Sequence, residues 1–270
     1  MARDKLLAMI IAADNLSAGR PSVRRAMQER DAEAIGRLCQ RAVAAGALWL
    51  DVNPGYLPPV QRAEVWRFLL ETAEAACDLK LMLDAPQAES LALALKFCSR
   101  PPVLNMATAQ EGRLIPVLEL AAAHGLELVA ATMTQVVPTS SEERLSLAAL
   151  IVQEAARRGI EASRLYLDPM VLPLALQGGE AQAAAVLATL RALPFLFDPA
   201  PRTLLAISNL TTATAASRAE FAGPPFLAAA FGAGLEVAML DVGQPALLST
   251  ARLCQVLAGQ RLFAPAEHQV

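Results

Sequence analysis

Eight short apolar runs alternate with longer amphipathic segments along this chain, and this alternation constrains the fold more than any other feature. Strands are predicted for the apolar runs, at 6–12, 47–53, 80–85, 102–107, 126–133, 165–170, 203–209 and 237–242. Helices are predicted where apolar residues recur every three or four positions, at 22–45, 60–77, 87–98, 110–124, 141–158, 179–193, 219–233 and 244–259. The sequence therefore predicts consecutive β/α units.

Strands that are apolar throughout are typical of a parallel sheet that is covered on both faces. Eight such units in 270 residues match the size of a (β/α)8 TIM barrel. A doubly wound open sheet is the alternative, but its nucleotide-binding members often carry a glycine-rich first turn, whereas AADNLSAGRPS has one glycine. We predict a single-domain α/β protein, a TIM barrel over 1–262 with a polar tail at 263–270.

Composition narrows the class of partner. The net charge is −3 without a run of basic residues, so neither nucleic acid nor an anionic membrane is an expected partner. Mean hydropathy is +0.39, yet the longest apolar segment, 222–235, is interrupted by Gly223, Pro224 and Pro225 and is too short to span a membrane. We expect a cytoplasmic protein that binds a small molecule or another protein.

The residues most often used for metal binding and nucleophilic catalysis are sparse. Four cysteines lie far apart without a C-x-x-C pair, and we expect them to be buried, reduced thiols. Only two histidines are present, and one of them, His124, precedes a glycine at a predicted helix end. A histidine-based mechanism and a metal site are therefore not expected.

Polar residues close the predicted strands. In a barrel the carboxyl ends of the strands converge on one mouth, although each such residue alone could equally be a turn or helix-cap residue. Carboxylates and carboxamides without a nucleophile suit the hydrogen-bonding edges of a flat heterocycle, of which a pterin is one example. The residues concerned are Asp51, Asn53, Asp84, Asn105, Thr132, Asp168, Asn209 and Asp241.

A set of motifs in a fixed order covers nearly the whole chain. They are WLDVNPG (49–55), LMLDAP (81–86), VLNMATAQ (103–110), HGLELVAATM (124–133), YLDPMVLP (166–173), DPAPRTLLAISNLT (198–211) and FLAAAFGAGLEVAMLD (226–241). On these motifs the chain resembles the methyltetrahydrofolate:corrinoid protein methyltransferases, a pterin-binding barrel group related to dihydropteroate synthase. The resemblance implies a methyltransferase that moves a methyl group between N5 of tetrahydrofolate and the cobalt of a corrinoid (cobalamin). The corrinoid would be carried by a partner protein, the direction of transfer stays open, and a homodimer is implied.

The resemblance also assigns roles to residues. It implies that Asn209 is the catalytic residue near N5, and that the pterin is held by Asp84, Asn105, Asp168, Ser208, Ala206, Met239 and Asn15. The first strand departs from the family pattern Gly-Glu-Arg-x-Asn, because IAADN (11–15) keeps only the asparagine. The missing Glu and Arg predict the loss of an ion pair at the mouth.

Two other functions remain open for such a chain. One is a non-catalytic pterin- or folate-binding barrel that has lost activity through the changes in strand one. The other is a dihydropteroate synthase-like enzyme, which would be expected to carry a Gly-Gly-Glu-Ser-Thr-like loop after the second strand. The sequence there reads NPGYLPP, which disfavours that alternative.

Overall fold

Eight parallel strands close into a barrel in chain order in the computed structural model. The structure describes residues 9–212 and 216–262, with side chains in the second range from residue 221 onwards. The strands are β1 (Ile10–Ser17), β2 (Trp49–Asn53), β3 (Lys80–Asp84), β4 (Val103–Thr108), β5 (Glu127–Ala131), β6 (Leu165–Asp168), β7 (Arg202–Ala206) and β8 (Val237–Leu240). The predicted TIM barrel is confirmed.

Helices connect successive strands and cover the outside of the barrel. They are α1 (Pro21–Glu29), α2 (Ala32–Ala44), α3 (Pro59–Ala76), α4 (Ala88–Leu95), α5 (Leu114–His124), α6 (Ser141–Arg157), α7 (Gly179–Leu196), α8 (Ala216–Gly232) and α9 (Pro245–Leu257). Within the described residues, no helix has the length and apolar character needed to cross a membrane. The predicted tail, 263–270, lies outside the described residues, so its boundary stays a prediction.

The structure differs from the prediction around β1 and α1. The strand predicted at 6–12 runs instead to Ser17, and its first residues, 6–8, lie outside the described part. Its pairing with β2 shifts between Ala13 and Leu16, which lets polar residues continue the strand past its apolar part. The single helix predicted at 22–45 is two helices, because Arg30 adopts a left-handed conformation (φ 55°) and Asp31 caps α2 by accepting from Ala34 N.

One side chain from each strand fills the barrel interior. This buried layer consists of Ala12, Trp49, Met82, Val103, Val129, Tyr166, Leu204 and Val237. The Trp49 and Tyr166 rings meet edge to face with their centroids 5.1 Å apart. Because this layer packs the interior, ligands have access only to an end of the barrel, and the carboxyl ends of the strands carry the polar groups.

The cysteines and the described histidine occupy structural positions. All four cysteines are free thiols, and Cys39, Cys77 and Cys254 are buried as expected, while Cys98 is half-buried. His124 is the last residue of α5, and Gly125 closes this helix in a left-handed conformation (φ 64°).

Candidate functional site

A cavity of about 310 Å³ opens at the carboxyl ends of the strands. It is lined by Asp14, Ser17, Arg20, Asp51, Asn53, Asp84, Asn105, Met106, Asp168, Met170, Leu204, Ala206, Ser208, Asn209 and Met239. A larger groove of about 590 Å³ lies between the segments that follow β1 and β2, but it lacks a comparable gathering of carboxyl and amide groups. We therefore take the smaller cavity, called the mouth cavity below, as the candidate site.

Most of the residues assigned by resemblance meet in the mouth cavity. Those that line it are Asp84, Asn105, Asp168, Ala206, Ser208, Asn209 and Met239. Asn15 does not line it, because its side-chain amide donates to Asp241 (2.6 Å) and its side-chain oxygen accepts from Val242 N (3.0 Å). Thr132 also lies elsewhere, as a fully buried residue bonded through its backbone N–H to Asp168 O (2.8 Å). Asn15 therefore joins β1 to the end of β8.

Three polar cavity residues near β1 were not found from the sequence. They are Asp14, Ser17 and Arg20. Reading β1 as ending at residue 12 placed them in a connecting turn, whereas the strand continues to Ser17. The signal that could have found them is an apolar residue among polar ones in DNLS (14–17). Leu16, which is fully buried, follows Asp14 and Asn15 and indicates that the strand continues past residue 12.

An ion-paired cluster braces this side of the mouth although the family's Glu-Arg pair is absent. The Arg20 guanidinium lies 2.9 Å from Asp14 and 3.0 Å from Asp241. Burial raises the pKa of Asp14, against the opposing effects of the Ser208 hydroxyl and Arg20. Burial also disfavours the charge on Asp241, but the N–H groups of Gly243 and Asn15 together with Arg20 lower its pKa below the usual value. Arg20, which directly precedes α1, thus forms ion pairs at the mouth in place of the missing Glu-Arg pair.

Asp168 is held by its own turn at the end of β6. Its carboxylate accepts the backbone N–H of Met170 at 2.7 Å, in a turn where Met170 has a left-handed φ of 56°. Burial raises the pKa of Asp168 to about 7, while the Met170 N–H and the positive charge of Arg144 act in the opposite direction. Among the described residues, the other oxygen of this carboxylate has no protein donor and can accept from a ligand.

Arg144 fixes the turn behind Asp168. This fully buried guanidinium donates to the backbone oxygens of Pro169 (2.8 Å) and Met170 (3.4 Å), and also to the Gln182 side chain. A buried cation without hydrogen bonds would be strongly destabilising, so these acceptors compensate for its burial. The arrangement holds the 168–170 turn in one conformation and places a positive charge behind the cavity wall.

Asp84 receives an oriented donor from the end of β2. The Asn53 side-chain amide donates to Asp84 at 2.7 Å, and the Asn53 side-chain oxygen accepts from Gly55 N at 2.9 Å. These two bonds fix which end of the Asn53 amide faces Asp84. Burial raises the pKa of Asp84 to about 6, and the Asn53 hydrogen bond partly opposes that rise.

Asn209 presents an uncommitted amide to the cavity. It lies in a short 3₁₀ turn, Ile207–Thr211, directly after β7 and is half-buried. Its backbone oxygen accepts from Thr212 N (3.2 Å), but no hydrogen bond to its side chain occurs within the described residues. A carboxamide both donates and accepts, so this side chain can bond a ligand atom that changes its protonation.

The groups that line the cavity are suited to hydrogen bonding with a polar ring. Across the described residues, no cluster of three or more His, Cys, Asp or Glu side chains could hold a metal ion. Carboxyl groups on β2, β3 and β6 and amide groups on β4 and after β7 line the same cavity, with Met106, Met170, Leu204 and Met239 adding apolar surface. Such a lining suits a flat heterocycle with several donors and acceptors on its edges.

Comparison with known proteins gives a family match and a curated relative. The family described as "Pterin binding enzyme" matches residues 19–241. A protein of Eubacterium limosum, the "Methylcorrinoid:tetrahydrofolate methyltransferase", is 30% identical over 172 residues, which cover 62% of this chain and 62% of that protein. The chain thus aligns with somewhat less than two thirds of the length of that relative.

Solved structures with the same fold include dihydropteroate synthases. The enzyme of Vibrio fischeri ES114 has a TM-score of 0.69 at 15% identity, with 95% of each chain covered. The Yersinia pestis DHPS, solved with a pterine-sulfa conjugate, has a TM-score of 0.67 at 16% identity, with 96% of this chain and 97% of that chain covered. At these identities the likeness concerns the fold alone.

Proposed function

Because the chain belongs to the pterin-binding enzyme family, we propose that its mouth cavity binds the pterin ring of tetrahydrofolate or 5-methyltetrahydrofolate. We further propose that the protein is a methyltransferase that moves a methyl group between N5 of this folate and a corrinoid carried by a partner protein. The observation that carries the proposal is the meeting of Asp84, Asn105, Asp168 and Asn209 in one cavity. The relative from Eubacterium limosum supports the methyl-transfer part.

The proposed pterin pose follows from the available acceptors. The 2-amino group and the adjacent ring N–H of a pterin form an edge with two donors, and an ionised carboxylate can accept both. Asp168 is the carboxylate whose turn is held rigid by Arg144, so we assign this edge to Asp168. Asp84 and Asn105 would bond the other polar atoms of the ring, while Ala206, Ser208 and Met239 line the cavity beside it.

Asn209 is the residue that we assign to catalysis. Breaking the bond between N5 and the methyl group requires N5 to be protonated or strongly hydrogen-bonded as it leaves. The Asn209 oxygen can accept a hydrogen bond from protonated N5, but a carboxamide does not supply the proton. The hydroxyl of the neighbouring Ser208 acts to lower the pKa of Asp14, which links this position to a carboxyl group. We propose that Asn209 stabilises the protonated nitrogen and aligns the methyl group.

The corrinoid would come with the partner and would supply the cobalt that exchanges the methyl group. His124, the one histidine in the described part of the chain, ends a helix and therefore lies toward the amino ends of the strands, away from the mouth. The mouth cavity must consequently be open to a second protein. The name of the relative from Eubacterium limosum pairs a methylcorrinoid with tetrahydrofolate, and we expect transfer in at least that direction.

A methyl-transfer assay tests the proposal directly. Free reduced cobalamin and 5-methyltetrahydrofolate serve as probes in one direction, and methylcobalamin with tetrahydrofolate in the other, with the absorbance of the cobalamin as readout. We expect transfer that depends on both the protein and the folate. Tight folate binding without transfer in either direction would favour the non-catalytic barrel, and formation of dihydropteroate from a dihydropterin diphosphate and p-aminobenzoate would favour a synthase.

A further inference from the structure

Asp51 is the one carboxyl group of the mouth cavity, among the described residues, with a buried oxygen that lacks any hydrogen-bond partner. The residue is 2% exposed and lies in β2, where its backbone pairs with Met82 of β3. It lines the mouth cavity together with Asp14 and Asp84 from the neighbouring strands. Because a buried, unpaired polar atom is costly, this oxygen is a candidate contact for a ligand.

The surroundings of Asp51 favour its neutral form. Asp14 is compensated by Arg20 at 2.9 Å, and Asp84 by the Asn53 amide at 2.7 Å. Within the described part of the chain Asp51 forms no salt bridge, and the polar side chain that acts on it is the uncharged Asn105. Burial is the main cause that raises the pKa of Asp51 well above its usual value, followed by the charges of Asp84 and Asp14.

We propose that Asp51 is a protonated carboxylic acid that donates a hydrogen bond to an acceptor atom of the bound ring. The proposal rests on the proposed function for the identity of the ring as a reduced pterin. Asp168 and Asp84 would accept from the ring's N–H groups, whereas Asp51 would recognise a ring nitrogen or the ring carbonyl oxygen. A cavity with one neutral acid beside ionised carboxylates can therefore hydrogen-bond to both the N–H donors and the acceptor atoms of the same heterocycle.

Infrared difference spectroscopy tests the protonation state without relying on activity. We compare the wild-type protein with Asp51→Asn at pH 7.5, with Asp78→Asn as the matched control, because Asp78 is fully exposed. The wild-type minus Asp51→Asn difference spectrum should contain the carbonyl stretch of a protonated acid, whereas the wild-type minus Asp78→Asn difference spectrum should not, because bands of the other acids cancel in both. A spectrum in which Asp51→Asn removes only carboxylate bands would overturn the proposal.

Binding measurements test the donor role. The affinity for 5-methyltetrahydrofolate should fall about tenfold in Asp51→Ala, as expected for the loss of one buried hydrogen bond, and Asp51→Asn should restore most of it through its amide N–H. Equal losses in both variants would mean that the charge is needed, and no loss in Asp51→Ala would mean that the ring does not touch Asp51. If the wild type binds no reduced folate, the proposed function fails, whereas the infrared comparison still decides the state of Asp51.

Discussion

Folate binding should weaken as the pH falls from 8 to 6, because the ring edge that we assign to Asp168 requires an ionised carboxylate. Burial raises the pKa of this group to about 7 in the free protein. The ionised fraction then falls from roughly nine tenths at pH 8 to roughly one tenth at pH 6, as follows from a pKa near 7. The expected loss of affinity is therefore about tenfold over this range.

Calorimetric titration with tetrahydrofolate at constant ionic strength measures this effect. Asp84, with a pKa of about 6, adds only a smaller contribution at the acidic end of the range. Arg144→Gln provides the comparison, since removal of the positive charge behind Asp168 should move the midpoint of the pH profile upward. Circular dichroism would establish that this variant folds. An affinity that is constant between pH 6 and 8, or that rises on acidification, would refute the assignment of the ring edge to Asp168.

Three further perturbations follow from the same geometry. Asn209→Ala should lower the rate of methyl transfer by roughly two to three orders of magnitude in single-turnover assays while weakening folate binding less, and equal losses in both would make it a binding residue. Arg20→Met should lower the melting temperature at pH 8, because Asp14 and Asp241 would then repel each other as two carboxylates. The loss should be smaller at pH 5, because burial favours the protonated form of Asp14, and an equal loss at both pH values would contradict the ion-pair account. The stability of the free protein should fall as the pH rises from about 4 to 7, since the folded state binds the proton of Asp168 more tightly than the unfolded chain does. Asp168→Asn should flatten that dependence in thermal melts, and an unchanged profile would mean that Asp168 titrates normally.

The barrel could be predicted from the sequence because its main signal is local. An apolar run followed by an amphipathic segment is visible in any one β/α unit, and the count of units fixed the architecture. The gathering of Asp84, Asn105 and Asp168 also followed, because residues at the carboxyl ends of barrel strands must converge. What resemblance added was the order and identity of the motifs, beyond what periodicity could give.

The sequence was least informative where long-range contacts override local pattern. The assignment of Asn15 to the pterin stays a prediction, and the sequence did not show that its amide bonds Asp241, which is 226 positions away in the chain. Arg20 was not recognised as a site residue, since its two carboxylate partners come from different ends of the sequence. The role of Arg144 in holding the turn after β6 was likewise invisible, because a basic residue in an amphipathic helix normally faces solvent, whereas this one is fully buried.

The central claim is that the mouth cavity binds a reduced pterin, and calorimetric titration of the wild-type protein tests it most directly. The ligands are 5-methyltetrahydrofolate and tetrahydrofolate, with dihydropterin diphosphate as the control. We predict binding of both reduced folates in the micromolar range and little or no binding of the diphosphate. Absence of binding by either folate would contradict the account and would leave Asp84, Asn105, Asp168 and Asn209 as structural residues of the barrel mouth.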